Sequence, residues 1–391
     1  MNSATQKFIS EHAGEDVSLL ALNAAKYSEV DMAFALKQIE GKQKTQSKLP
    51  TFYNCDELQY PVRLSLEQAS SEITAKYKST LCQGEIFIDL TGGFGVDSYF
   101  ISSRFEQAYY VERSQELCTL ATHNFRVLNR PQIKVICSEA EQFLNNCEYI
   151  ANWIYIDPSR RSKSGNKTVL LADCEPNIIS LCPKILQKTK RALIKLSPMI
   201  DIASVLHDLP YISQVHILSV ENECKELLFV MDAANNLSTT IHTRNFGKKG
   251  NCQLFDFDRE EEASAAAPIA DKVSKYLYEP NAAIMKSAAF KLIAQRFSLS
   301  KLHRNTHLYT SDTEVVDFPG RVFEVISVWE NKKEWKRKAE VLRKANISTR
   351  NYPIGAEDLR KKLKLNDGGD TFLFACTLKN EEKAIIECKK Y

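Results

Sequence analysis

Between Glu85 and Met231 the sequence breaks into short apolar runs, and their spacing is the strongest constraint on its fold. IFIDL (86–90), AYYVE (108–112), IKVIC (133–137), WIYID (153–157) and ALIKL (192–196) recur with amphipathic stretches of helical periodicity between them. The runs are continuously apolar rather than alternating, as strands covered on both faces require. Strands of this kind alternating with helices give a doubly wound parallel sheet. The next two runs, VHILSV (215–220) and ELLFVM (226–231), are separated only by ENECK. That gap is too short for a helical crossover, so this pair is antiparallel. The expected fold class is therefore α/β: a Rossmann-like sheet of five parallel strands closed by an antiparallel pair.

The flanks read differently. Residues 1–80 form a helical N-terminal region. DVSLLALNAAKYSEVDMAFALKQIEG has helical spacing and ends at Gly41, KQKTQSKLP follows as a polar linker, and LSLEQASSEITAKYKSTL (64–81) is a second helix. After the sheet, TTIHTRNF and CQLFDF flank the turn GKKGN as a hairpin, and EEEASAAAPIADK marks a boundary. Beyond it, residues 280–297 read as a helix opened by Pro280 and Asn281. Residues 321–330 follow as a strand, 332–345 and 354–364 as helices, and TFLFACTL and KAIIECKK as a last pair of strands. The apolar share of 44% and charged share of 26% suit a soluble globular chain. No apolar run is long enough for a membrane span, and the first residues lack the pattern of a signal peptide. Eleven cysteines with no CxxC pair encode neither a zinc knuckle nor a disulfide framework, and they suit a reducing cytoplasm.

The turn after the first strand is the first candidate site. In DLTGGFGVD, Gly92, Gly93 and Gly95 fall within four positions, between a strand end and a helix N-terminus where backbone N–H groups are free. A dinucleotide loop needs GxGxxG; here Ser98 stands at the third glycine, and Asp97 in the first helical turn would repel a pyrophosphate. Asp89 ends the first strand. Glu112, with Arg113 beside it, ends the second and is placed to accept hydrogen bonds from ribose hydroxyls. Glu139 and Ala140 follow the third strand, where an adenine edge would lie. Each acid alone is an ordinary strand-end residue. The ordered set fits a cationic, phosphate-free adenosyl ligand, which describes S-adenosylmethionine.

DLTGGFGVD resembles the first motif of class I S-adenosylmethionine-dependent methyltransferases, D/E-x-G-x-G-x-G. Asp89, Gly93 and Gly95 match it, and Thr91 replaces its first glycine. The antiparallel closing pair is also that family's topology. The whole chain is similar to bacterial methyltransferase-like proteins that carry a THUMP-like C-terminal domain. The likeness rests on EQASSEITAKYK, DLTGGFGVD, IDPSRR, KLSPMID, ENECKELLF and YLYEPNAAIMK, spanning about Glu67 to Lys286. It implies a helical N-terminal region over 1–80, a methyltransferase domain over 81–235, the hairpin and a ferredoxin-like domain over 236–318, and a THUMP-like domain over 319–391.

IDPSRR is the second candidate site. In nucleic-acid amino-methyltransferases of the class, the tetrapeptide after the fourth strand is usually D/N-P-P-Y/F/W. Asp157 and Pro158 match; Ser159 stands at the second proline and Arg160 at the aromatic. Asp157 is thus expected beside the transferred methyl group. Arg160 and Arg161 are expected either as a phosphate or carboxylate clamp or as ordinary ion-pair partners. Residues Ser162 to Asn166 suggest a lid over the acceptor. No cysteine stands where a covalent nucleophile would be obvious.

Residues 332–364 hold twelve Lys/Arg against four acids, a surplus of +8 in a chain whose net charge is +3. Such a segment is the electrostatic footprint of a phosphate backbone, or else a solvated helix face. The candidate RNA contacts are Lys332, Lys333, Lys336, Arg337, Arg343, Lys344, Arg350, Arg360, Lys361 and Lys362. Trp335 could stack on a base or sit in the core. THUMP domains bind structured RNA, so the resemblance favours tRNA or rRNA. The expected activity is that of a cytoplasmic S-adenosylmethionine-dependent RNA methyltransferase, with no metal and no membrane partner. The alternatives are an RNA-binding protein with a degenerate core and a methyltransferase for a small anionic metabolite.

Overall fold

The computed structural model describes residues 2–160, 170–234, 238–248, 250–329 and 331–391, and only the backbone of Arg160 and Lys332. The chain divides into two compact units, one of residues 1–212 and 229–236, the other of residues 213–228 and 237–391. No helix among the described residues is long and apolar enough to cross a membrane.

The strands of the first unit are β1 (Gly84–Asp89), β2 (Phe105–Glu112), β3 (Ile133–Cys137), β4 (Trp153–Ile156), the short β5 (Ser159–Arg160) and β6 (Cys174–Glu175), and β7 (Arg191–Leu196). Five of them form a parallel sheet in the order β7-β4-β1-β2-β3. Phe87, Ile88, Ile154, Ile156, Leu193 and Ile194 are fully buried, which is why these runs do not alternate. Register places Asp89 opposite both Tyr110 and Tyr155, and Glu112 opposite Cys137. The carboxyl ends of the strands are thereby gathered at one edge, where ligands of such sheets bind.

The helical region departs from the sequence reading in two places. KQKTQSK is not a linker but the second half of a helix running over Met32–Lys48. Gly41 lies inside that helix because Tyr60 crosses there: a Cβ on Gly41 would sit 2.3 Å from Tyr60 Cβ. The helix expected over 64–81 is two helices, Arg63–Gln68 and Glu72–Leu81. Ala69 is extended (ψ 149°), and Ser71 caps the second helix by accepting from Thr74 N. The side chain of Ser70 is committed elsewhere in the fold, as described below.

The second unit begins with β8 (Ile212–Val220) and β9 (Glu223–Asp232), whose first and last residues respectively reach into the other unit's range. Glu221 and Asn222 join them with φ of +51° and +65°. Two such residues make the tight turn of an antiparallel hairpin. β10 (Thr240–Phe246) pairs parallel with β8, and β11 (Cys252–Asp258) pairs antiparallel with β10. The hairpin expected around GKKGN therefore extends the sheet of β8.

A second sheet follows, of β12 (Tyr276–Pro280), β13 (Ser300–His303), β14 (Thr306–Ser311), β15 (Gly320–Trp329), β16 (Asn346–Arg350), β17 (Thr371–Thr377) and β18 (Lys383–Lys390), in the order β13-β14-β12-β15-β18-β17-β16. Four of these, β12, β13, β14 and β16, are absent from the sequence reading. Residues 280–297 are not one helix either. Asn281 caps a short helix over Ala282–Ser287, Ala288 in the left-handed conformation (φ +60°) ends it, and a second turn covers Leu292–Arg296. Phe290, in the gap, stacks on His307 and accepts from Tyr309 Oη at 2.8 Å. Tertiary contacts thus override continuous helical periodicity. Trp335 is core: it is buried beside Trp329 and donates its ring N–H to Trp329 O.

Candidate functional site

Asp89 ends β1 almost fully buried. Its carboxylate accepts from Thr91 N at 2.9 Å and from the Ser98 hydroxyl, so it ties the loop to the first turn of the helix Val96–Ile101. Burial pushes its carboxyl up to about 7, with the two hydrogen bonds acting against the rise. The three glycines have different causes. A Cβ on Gly92 would lie 2.1 Å from the Tyr110 ring, and one on Gly95 2.8 Å from Phe125. Those two make room for protein neighbours. At Gly93 (φ +55°) only Thr91 O lies near, at 3.9 Å, and the turn is open. Phe94 packs beneath it against Phe52 and Tyr60 of the helical region.

Glu112, at the end of β2, is half-buried and reaches this loop: its carboxylate accepts from Gly93 N at 3.0 Å and from Ser114 N at 2.8 Å. Ser138 N donates to Glu112 O, which brings the turn after β3 alongside. Glu139 there is exposed and Ala140 is buried. The carboxylate, the open glycine and the third turn thus share one edge of the sheet. Arg113 points the other way, to Glu175 of β6 at 3.0 Å.

Asp97 requires a correction. Its sequence position suggests an acid facing the ligand and repelling a phosphate. The structure turns it inward: its carboxylate pairs with Lys78 at 2.8 Å and accepts from Ser70 Oγ at 2.7 Å and Tyr155 Oη at 2.8 Å. Lys78 is itself fully buried and also donates to Ser70 Oγ. Burial alone would raise the Asp97 carboxyl, but the Lys78 and Lys195 ammonium groups outweigh it and hold it below the usual range. A neutralised, internal acid repels nothing. It does explain why the helix breaks at Ser70.

In the second candidate site, Asp157 follows β4. Its N–H donates to Thr91 Oγ1 at 2.7 Å. The residue that departs from the glycine motif is therefore the one that fastens the second site to the first. The Asp157 carboxylate is paired with Lys195 Nζ, near the end of β7. Burial pushes this carboxyl up, against the pull of Lys195. Lys195 thereby joins the candidate site, and the sequence reading misses it. A lysine in the otherwise apolar ALIKL, level with the end of an Asp-bearing strand, is the available signal. Pro158 is buried, and Ser159 pairs with Glu175 in the β5–β6 ribbon, its hydroxyl 3.2 Å from Glu175 O. Arg161 and the lid read over 162–166 lie outside the described residues, as does the Arg160 side chain.

The basic candidates belong to the second unit and divide into two groups. Lys333, Lys336, Arg337, Arg343, Lys344, Lys361 and Lys362 are exposed. Arg350 and Arg360 correct the sequence reading, because both are held by acids. Arg350 binds the buried Glu279 at 2.7 Å beside Arg321, and Arg360 binds Asp367 at 2.8 Å and Glu357 at 3.4 Å. The Lys332 side chain lies outside what the structure describes.

Comparison with known proteins bears on the whole chain. Residues 276–319 match a ferredoxin-like domain family and residues 320–390 a THUMP domain-like family. No curated protein matches. A crystal structure of a candidate methyltransferase from Porphyromonas gingivalis W83 is 33% identical, covers 99% of this chain and 97% of its own, and superposes with a TM-score of 0.88. An rRNA methylase from Streptococcus thermophilus is 13% identical over 41% of this chain and 93% of its own, with a TM-score of 0.30. A candidate methyltransferase from Streptococcus mutans in complex with SAH is 16% identical over 41% and 97%, also at 0.30. The last two superpose too loosely to bear on the chemistry. With a five-stranded parallel sheet, two recognised domains later in the chain, and a relative matched from end to end, the chain belongs to the class I methyltransferase family that carries a ferredoxin-like and a THUMP-like domain.

Proposed function

We propose that this chain transfers a methyl group from S-adenosylmethionine to structured RNA, tRNA or rRNA. The observation that carries the reading is one turn with two attachments. Gly93 N is bound by the Glu112 carboxylate, and Thr91 Oγ1, two residues earlier, by Asp157 N. The strand ends suited to an adenosyl ligand and to an acceptor therefore share a wall.

The residues fit the cofactor. Glu112 offers carboxylate oxygens to vicinal ribose hydroxyls, and the open face of Gly93 lets a ligand approach the backbone. When bound, S-adenosylmethionine supplies an electrophilic methyl group on a sulfonium, chemistry that belongs to the cofactor. The chain's own task is placement. Asp89 fixes the loop, Glu112 orients the ribose, Thr91 anchors the Asp157 turn, and the Asp157–Lys195 pair lines the acceptor side. Alignment of two bound partners is worth several powers of ten in rate. In this reading residues 81–235 carry the chemistry and residues 319–391 dock RNA. The THUMP domain-like match and the exposed lysines and arginines of 333–362 support RNA as the acceptor. Such contacts supply affinity and register without reading sequence.

Isothermal titration with S-adenosylmethionine tests the first half. Glu112→Ala removes charge-assisted hydrogen bonds and should weaken binding by about 10- to 100-fold. No binding by the wild type, or unchanged binding in Glu112→Ala and Asp89→Ala, would sink the cofactor assignment. Transfer of labelled methyl groups to RNA from cells lacking the protein tests the second half. Cofactor binding without transfer to any RNA refutes it.

A further inference from the structure

We infer that the methylated atom is an oxygen, the ribose 2′-hydroxyl of the RNA, and that the Asp157–Lys195 pair handles its proton. This inference rests on the RNA methyltransferase reading above.

The charge that builds up on the acceptor distinguishes the possible nucleophiles. A neutral amine attacking a methyl sulfonium becomes cationic, so a cation fixed beside it opposes the transfer unless a carboxylate is left to balance it. Asp157 is matched: the Lys195 ammonium sits directly on its carboxylate, from the neighbouring strand β7. Among the described residues the site has no unmatched carboxylate to favour a nascent ammonium. The other groups near Asp157 do not alter this balance, since Asp97 is matched by Lys78 and Asp89 is pushed towards neutrality by burial. An amine on a base also needs a flat surface to stack on. After Pro158 the chain offers Ser159, and the backbone turns into the β5–β6 ribbon rather than presenting a ring.

A hydroxyl makes the opposite demand. It is a poor nucleophile until its proton leaves, and it gains from a cation beside the oxygen and a carboxylate beside the proton. Asp157 and Lys195 are those two groups, and the raised carboxyl of Asp157 suits it to hold a proton transiently. In the step, the acceptor O–H bond breaks and its proton passes to the Asp157 carboxylate. The oxygen's electron pair forms the O–CH3 bond, the S–CH3 bond breaks, and its pair remains on sulfur as a neutral thioether. Asp157 then releases the proton to water, so charge and atoms balance without an oxidant or a metal. Within an RNA chain the 3′ and 5′ oxygens are esterified. The 2′-hydroxyl is the one on offer.

The test is nucleoside mass spectrometry on bulk tRNA and rRNA from cells lacking the protein, after incubation with the full-length chain and deuterium-labelled S-adenosylmethionine. The expected product carries the label on the ribose fragment. A label on a base overturns the inference and leaves the RNA methyltransferase reading standing. Bound cofactor with no labelled RNA removes that reading, and this inference with it. Lys195→Met should lower kcat by about 100-fold or more while the cofactor Kd stays within about threefold. A kcat within about threefold of wild type refutes the role of Lys195. A binding readout needs no methyl donor. On a synthetic stem-loop bearing the identified nucleotide, a 2′-deoxy substitution should weaken binding to the wild type and leave Lys195→Met unaffected. Equal weakening in both proteins also overturns the inference.

Discussion

The buried pair Lys78–Asp97 gives the most exacting test of how the glycine turn is supported. Lys78 has no solvent exposure, and its Nζ lies 2.8 Å from Asp97 Oδ1. At that distance the gross attraction is about 6 kcal/mol for an effective dielectric constant of about 20. Desolvation of both charges takes back a large part of it, so the net value of the pair is small. Removing one partner is different, because it strands the other charge. Lys78→Met preserves volume and leaves Asp97 the hydroxyls of Ser70 and Tyr155 and the more remote charge of Lys195. It should cost about 3–5 kcal/mol, and Asp97→Asn, which strands Lys78, a similar amount. The double variant strands neither, so it should cost about 2–3 kcal/mol less than the sum of the single ones. The assay is urea-dependent hydrogen exchange read by mass spectrometry on peptides within 84–112, which reports this unit without assuming a single transition for the whole chain. Single variants within about 1 kcal/mol of wild type, or costs that simply add in the double variant, would refute the account of Asp97 as an internal, neutralised acid.

Four further outcomes can be measured. Asp89 has a folded-state carboxyl value of about 7, above the ordinary 3.8. The folded protein therefore holds a proton that the unfolded chain gives up, and the associated stability is complete below about pH 4 and lost as pH rises through about 7. A rise of that size sets a ceiling of about 4 kcal/mol on the loss. Asp89→Asn should flatten it, and urea midpoints that fall in parallel for both proteins between about pH 4 and 8 would contradict the assignment. Gly92→Ala should cost roughly 1–3 kcal/mol, because its Cβ meets a Tyr110 ring whose hydroxyl is tied to Gly93 O at 2.6 Å. A thermal scan checks this, with Tyr110→Leu in the same chain recovering part of the loss. In the second unit, replacing Lys333, Lys336, Arg337, Lys361 and Lys362 by Gln should weaken RNA binding and reduce the slope of log K against log salt. The slope should fall by about 0.7–0.9 for each phosphate that is no longer neutralised. Arg350→Ala should leave that slope unchanged and cost about 1.5–3 kcal/mol of stability, since it leaves the buried Glu279 with Arg321 as its remaining guanidinium partner.

The parallel strands were legible because burial on both faces writes itself as an unbroken apolar run, and the antiparallel pair because five residues cannot hold a crossover. The helix breaks were not, and Ser70 shows why. Its local sequence, EQASSEIT, has helical spacing, and the interruption comes from two groups that bind its hydroxyl, Lys78 from the next helix and Asp97 from beyond β1. Strand β12 was hidden by the same kind of cause. YLYEP is buried all along its length between β14 and β15, neither of which lies near it in the chain. At the site, positions along the strands were readable while side-chain directions were not. Glu112 and Asp97 are both acids at strand or helix ends beside the glycine turn. One keeps a half-buried carboxylate on the loop, and the other is consumed by a buried lysine. Thr91 makes the same point from the opposite side. As a departure from a glycine pattern it looks like decay of the motif, yet its hydroxyl accepts the N–H of Asp157 and joins the two halves of the site. A glycine at 91 could not do that. Loss of a motif glycine therefore argues for a different coupling between the turn after β1 and the turn after β4, and not for decay of the motif.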